Sequence, residues 1–288
     1  MNKNNPFSLY EVKPTTVRYG KVYVAKVKID VPFEKKRLVR LYIPEDYQSS
    51  NKYLVLYMSD GQNLVDKYTS AFGDWKLDLR MHELIKKGYP SFIIVGIDCP
   101  KNPTHRMLEY SFPNVDFNSQ VLKSINSKVN SESYGDKFLT FLVNQIKPLV
   151  DSNFSTSEIS AIGGSSMGGL FALNGYISYP NIFSFCLSFS PAFQLYPRKR
   201  LIEYFENNSS HISKKGKIFF YTGSMGFEKQ FFSPTLSIYR YFQKIGYDPS
   251  RLALIVDTRM PHHEDAWSHY FNEAIQFWLD KPNNKGKI

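Results

Sequence analysis

Gly164-Ser165-Ser166-Met167-Gly168-Gly169 is the stretch whose reading decides the fold. It contains Gly-x-Ser-x-Gly, and its flanks supply the context that motif requires. Upstream, Glu158-Ile-Ser-Ala-Ile162 reads as a short strand; downstream, Leu170-Phe-Ala-Leu173 and Ile177 open a helical pattern. A serine between strand and helix is forced into a strained turn, and glycines two positions to either side let the two elements pass closely. Its Oγ then stands clear of the sheet, while the new helix points its N-terminal amides at any oxyanion formed there. Without chemistry, the same residues would be a glycine-rich turn. A strand before and a helix after favour the nucleophile, so Ser166 is the expected catalytic serine.

Outward from that turn, 53–58 and 91–97 hold the continuous apolar runs that buried parallel strands require, and 182–190, 217–222 and 252–257 supply further strands. Nearer the N-terminus, 21–31 and 37–43 alternate as antiparallel strands do, ending at Pro44. Helical patterns fall at 75–87, 134–150, 201–205, 236–245 and 267–279; the second places Phe138, Phe141, Leu142, Ile146 and Leu149 on one face. Two antiparallel strands followed by alternating strand and helix predict an α/β-hydrolase fold. It has about eight strands in a mostly parallel sheet, and the right-handed crossover rule puts helices on both faces. Residues 100–133 lack periodicity and are expected to form an irregular, substrate-contacting loop. Residues 1–280 are expected to be one domain, with the lysine-rich 281–288 a disordered tail.

Composition narrows the class. At 288 residues the chain can bury one large core, and 42% hydrophobic with 22% charged residues is a globular balance. With 23 Phe and 20 Tyr, a wide aromatic-lined pocket is expected. Cys99 and Cys186 are the only cysteines. They cannot form a zinc cluster, and two lone buried thiols suit a reducing, cytoplasmic setting. No metal or organic cofactor is implied. The N-terminus carries no apolar signal region, and no apolar run approaches the ~18 residues a membrane span needs. The net charge of +10 is spread along the chain rather than clustered among aromatics, which argues for a solvated basic surface and against a nucleic-acid site.

A serine nucleophile needs a base, and in this fold the order along the chain is serine, acid, histidine. Of the four histidines after Ser166, His211 lies in a polar loop and His269 inside the last helical pattern. His262 and His263 directly follow the last strand, at the sheet edge where Ser166 emerges, and one of them is the expected base. Five carboxylates lie between Ser166 and Pro261: Glu203, Glu206, Glu228, Asp248 and Asp257. The first two come one strand too early, and Asp248 begins a turn at the opposite edge. Glu228, shortly after strand 217–222, occupies the usual station of the acid; Asp257, ending the last strand, is the alternative. Two backbone amides should form the oxyanion hole: that of Met167, and that of Gln62 in Ser59-Asp60-Gly61-Gln62-Asn63, with Gly61 permitting the turn.

These landmarks resemble a family of α/β-hydrolase esterases that includes esterase D, enterochelin-type siderophore esterases, and feruloyl and acetyl-xylan esterases. The resemblance runs from about 38 to 279. It rests on Tyr57-Met-Ser-Asp-Gly-Gln-Asn63, Ser70-Ala-Phe-Gly-Asp-Trp75, Val95-Gly-Ile-Asp98 and Arg106-Met-Leu-Glu-Tyr110, then on Gly164-Ser-Ser-Met-Gly-Gly-Leu170, Ser190-Pro-Ala-Phe193 and His262-His-Glu-Asp-Ala-Trp267. The family's closing motif is similar to His-x-Glu-x-x-Trp with its first histidine as base, which implies His262. Asp60, Arg106 and Trp267, within these landmarks, are assigned to substrate binding. Where similar sequences often carry an acid, this chain has Gly226, with Glu228 two residues on; some siderophore-esterase relatives work with a Ser-His dyad.

The chain is therefore expected to be a serine carboxylic-ester hydrolase that forms an acyl-enzyme on Ser166 from an ester of a small, carbohydrate or siderophore-like alcohol. Its rivals are an acyltransferase of the same fold and an inactive carbohydrate-binding member, the latter disfavoured by the presence of both Ser166 and His262.

Overall fold

The computed structural model describes residues 6–10, 15–31, 34–124, 132–208 and 212–279. His211 and the tail 281–288 lie outside the described residues. Nine strands form one sheet: β1 (Ser8–Leu9), β2 (Lys21–Lys28), β3 (Lys36–Ile43), β4 (Tyr53–Ser59), β5 (Ile93–Ile97), β6 (Thr156–Ser165), β7 (Phe183–Phe189), β8 (Lys217–Gly223) and β9 (Leu252–Asp257). Their spatial order is β1-β2-β3-β5-β4-β6-β7-β8-β9. β1, β2, β3 and β5 pair antiparallel, whereas the six strands from β5 to β9 pair parallel. All eight expected strands are present. The ninth is the two-residue β1, too short to show a period in sequence.

The central strands are buried on both sides, which is why they read as unbroken apolar runs. In β4, Val55 and Tyr57 pack into one hydrophobic cluster, and Leu56 and Met58 into the other. The first cluster also holds Phe138, Leu142 and Phe171 from helices on that face; the second holds Phe271 and Trp278 from a helix on the opposite face, with Trp75 from the loop before Leu77.

Three helices differ from expectation. The segment 134–150 is interrupted by a π-helical turn, Leu142–Ile146, between Gly135–Phe141 and Lys147–Asp151. Pro148 lacks the N–H that would bond Asn144, and its ring crowds that carbonyl, so the helix widens just before it. The helix expected at 236–245 spans Lys229–Lys244 and includes Pro234. Residues 100–133 are not wholly irregular: Pro103–Glu109 and Ser119–Ser124 are helical. Asn102 caps the first by accepting from the Thr104 and His105 amides, with Pro103 in its first turn. Among the described residues, no helix is long and apolar enough to cross a membrane.

Candidate active site

β6 runs to Ser165, and the helix Met167–Ser178 starts immediately after Ser166. Ser166 holds the joint at φ 57, ψ −120, a conformation L-residues rarely adopt. Backbone hydrogen bonds hold it there. Its N–H donates to the Phe189 carbonyl (2.8 Å), and its own carbonyl accepts from the amides of Gly169 and Ala192 (3.1 Å each). The Ser59 side chain wedges against the turn: a Cβ on Gly168 would collide with Ser59 Oγ and lie 3.2 Å from an Asp60 carboxylate oxygen. The glycine therefore admits a neighbouring strand end. Met167 occupies the first turn of the helix, so its amide lies at the positive end of the dipole.

His262 lies between β9 and the helix Glu264–Leu279. Its Nδ1 is 3.0 Å from Glu228 Oε1. An ionised carboxylate only accepts, so Nδ1 carries a proton, and in the neutral ring Nε2 keeps its lone pair. Phe231 stacks on the imidazole at 4.3 Å between centroids, and Trp267 meets it edge-on at 5.0 Å. Glu228 is fully buried. It is carried by a single 3-10 turn, Gly226–Glu228, that follows β8 with Gly226 at φ 55. That left-handed glycine folds the chain back and delivers a carboxylate from two residues later. Its Oε1 also accepts from Ser190 Oγ at 2.6 Å, and Ser190 Oγ accepts from Trp267 Nε1 at 3.1 Å.

Asp257 is engaged elsewhere. It accepts from the Tyr270 hydroxyl and, at 2.7 Å, from the Arg259 amide. The Tyr270 hydroxyl holds its carboxyl below the usual carboxylate range. Of the two candidate acids, only Glu228 is bonded to His262. His263 faces Asp265 at 3.4 Å, and His269 is exposed on its helix.

The loop after β4 forms the facing wall. Asp60 sits at φ 55, ψ 47, so the left-handed residue of this turn is the aspartate rather than the expected Gly61. Gly61 is required for a different reason: a Cβ there would stand 2.8 Å from the Gly96 carbonyl oxygen on β5. Asp60 is gripped by Arg106 through Nε and Nη2 at 2.7 and 2.8 Å, and its amide donates to the Tyr110 hydroxyl at 3.2 Å. Burial pulls the Arg106 guanidinium pKa down, but the Asp60 carboxylate outweighs it and holds the pKa above its ordinary value. The Gln62 side chain is tied to Cys99 twice, its Oε1 accepting from the Cys99 amide and its Nε2 lying 3.1 Å from Sγ. Cys99 is thus half-buried at the site rather than lost in the core; burial pushes its thiol pKa well up.

Ser166, His262, Gln62, Asp60, Arg106 and Trp267 all line one cavity of about 990 Å³. Met167 is buried and directly follows the cavity-lining Ser166. Ser190, Phe231 and Cys99 were not singled out from the sequence. Ser190 stood within the landmark Ser190-Pro-Ala-Phe193, but nothing local linked it to an acid 38 residues away. Among the described residues, no group of three or more His, Cys, Asp or Glu side chains could hold a metal ion.

Comparison with known proteins bears on the fold and the family. The chain is 25% identical over 264 residues to the uncharacterized protein YbbA of Bacillus subtilis (strain 168), covering 84% of this chain and 92% of that one. The BES protein from Bacillus cereus has a similar structure, with a TM-score of 0.70 at 18% identity, covering 94% of this chain and 100% of that one. The siderophore hydrolase EstB from Aspergillus nidulans superposes with a TM-score of 0.66 at 17% identity, over 94% and 99% of the two chains. These likenesses establish the α/β-hydrolase fold. A family model described as "Putative esterase" matches residues 32–239, most of the chain. The chain belongs to that esterase family.

Proposed function

We propose that this chain, one domain over residues 1–280, is a serine esterase that works through an acyl-enzyme. Ser166 Oγ attacks the ester carbonyl while His262 Nε2 takes its proton. The tetrahedral oxyanion rests on the amides of Met167 and Gln62, each contributing about 2.7–4 kcal/mol in typical cases. His262 delivers the proton to the leaving alcohol, then activates the water that frees Ser166. Glu228 keeps the imidazole in the tautomer this cycle needs. The observation that carries the reading is the buried Glu228–His262 pair, 3.0 Å apart, sharing a cavity with a serine held at positive φ.

The substrate is a carboxylic ester of a small, carbohydrate or siderophore-like alcohol, bound along Asp60, Arg106 and Trp267. Similarity to a siderophore hydrolase supports that choice, and a cavity of about 990 Å³ is at the upper end of small-molecule pockets. Two free cysteines, Cys99 and Cys186, support a reducing, cytoplasmic setting. The test is to quench the enzyme during turnover of a nitrophenyl ester and weigh it intact. An acyl adduct on Ser166 is expected, together with a loss of about 10⁶-fold in kcat for Ser166→Ala. Undiminished turnover by Ser166→Ala would overturn the proposal.

A further inference from the structure

Ser190 touches neither the cavity nor the expected nucleophile, yet it sits where the supports of both halves of the site meet. It follows β7 directly, is fully buried and holds φ 43, a left-handed backbone unusual for serine. Its amide is fixed by the Tyr221 carbonyl on β8 at 2.7 Å. The residue before it, Phe189, accepts the Ser166 amide, and Ala192, two residues after it, donates to the Ser166 carbonyl. Phe189 and Ala192 thus brace the serine turn by their backbone, while the side chain of Ser190 between them reaches Glu228.

The direction of that side-chain bond is forced. Trp267 Nε1 can only donate, so it occupies a lone pair on Ser190 Oγ. The hydroxyl has a single proton, and the partner left for it is Glu228 Oε1 at 2.6 Å. The same carboxylate oxygen receives His262 Nδ1, whereas Oε2 is buried with no hydrogen-bond partner among the described residues. A carboxylate bonded through one oxygen alone can swing about its own axis, and the second donor fixes which oxygen faces the imidazole. We propose that Ser190 is a positioning residue for the reaction. Its hydroxyl, oriented by the Trp267 indole, locks Glu228 Oε1 onto His262 Nδ1 and so holds the imidazole in its productive tautomer. The inference rests on the proposed serine-esterase reading and adds to it a fourth and a fifth member, Ser190 and Trp267.

The test is a double-mutant cycle on the full chain with a soluble nitrophenyl ester. Ser190→Ala and Ser190→Gly both remove the hydroxyl but act oppositely on a left-handed backbone, where glycine is the more comfortable. Each is expected to lower kcat by roughly 10- to 100-fold, the worth of a hydrogen bond to a charged group. KM should stay within about twofold, because the hydroxyl does not contact substrate. In a Glu228→Gln background the same substitutions should cost less than about threefold, since the group they orient is gone. Stoichiometric fluorophosphonate labelling of Ser166 certifies that each variant is folded. Wild-type kcat in both variants would overturn the proposal, as would recovery in Ser190→Gly alone or an undiminished cost in the Glu228→Gln background. A large loss in Glu228→Gln with silent Ser190 variants would sink the role of Ser190 while sparing the triad. A silent Glu228→Gln would sink both.

Discussion

The two walls of the cavity hold their carboxylates in opposite ways. On the wall built from the loop after β4 and its neighbours, three carboxylates face guanidinium groups. Asp60 meets Arg106, Asp98 meets Arg40 at 2.7 Å, and Glu109 meets Arg37 at 2.8 Å. On the opposite wall Glu228 has His262 as its one ion-pair partner among the described residues, with neutral donors and rings around it. A carboxylate clamped by arginine is a strut: its charge is already answered, and it serves to hold backbone. A carboxylate answered only by a histidine retains its field for the moment when that histidine becomes cationic. On the proposed mechanism the first wall shapes the site and the second carries the proton.

The sharpest break of this contrast is at the histidines. His262→Ala should cost about 10⁶-fold in kcat, as loss of a base does in a serine triad, whereas His263→Ala should keep most activity, because its ring meets Asp265 and not the acid. Equal losses, measured by steady-state kinetics, would show that the base is misassigned.

Next in size is the acid. Glu228→Gln should lower kcat by about 10⁴-fold through the wrong tautomer, while Asp257→Asn stays within a few-fold of wild type. The Asp257 variant should instead lose stability at neutral pH. Its folded-state pKa is lowered by the Tyr270 hydroxyl, so its contribution is present above the ordinary carboxylate range and is lost as pH falls through the lowered value. Thermal unfolding at pH 7 and in strong acid would check this: the gap between wild type and Asp257→Asn should close on acidification.

On the strut wall the effects are smaller. Arg106→Lys keeps the charge but loses the two-pronged grip on Asp60, and with it part of the constraint on Gln62. A loss of roughly tenfold in kcat is expected, recoverable by no increase in substrate. A pure KM effect would assign Arg106 to substrate contact instead. Smallest of all, kcat/KM on nitrophenyl esters should favour short acyl chains over long ones by a few-fold. Charged Lys26, Glu34, Lys36 and Lys101 share the cavity lining with the exposed Phe72, and burying a long alkyl chain against them is unfavourable.

What was legible in sequence followed the same division. The serine turn was readable because strand, glycines and helix all lie within about twenty consecutive residues, and each imposes its own pattern. The parallel strands were readable because burial on both faces leaves no polar alternation. The acid was only half readable. Glu228 reaches His262 through the left-handed turn at Gly226, a tertiary consequence that spacing along the chain does not encode. Asp60 and Arg106 were both flagged, each for substrate binding, but that they grip one another across 46 residues was not readable from either. The helix Pro103–Glu109 carried a signal in Asn102-Pro103, which the lack of apolar periodicity obscured. Pro234 hid the true start of the helix Lys229–Lys244 because a proline argues locally against helix, whereas the packing of Phe231 on His262 rewards one.

The central claim is that Ser166 is the nucleophile of this cavity, and active-site labelling tests it most directly. Incubation with a fluorophosphonate followed by intact-mass and peptide mapping should give one adduct per chain, on Ser166, with activity lost in proportion. Ser166→Ala should take up none. Labelling that persists in Ser166→Ala, or an adduct mapped to another residue, would contradict the account.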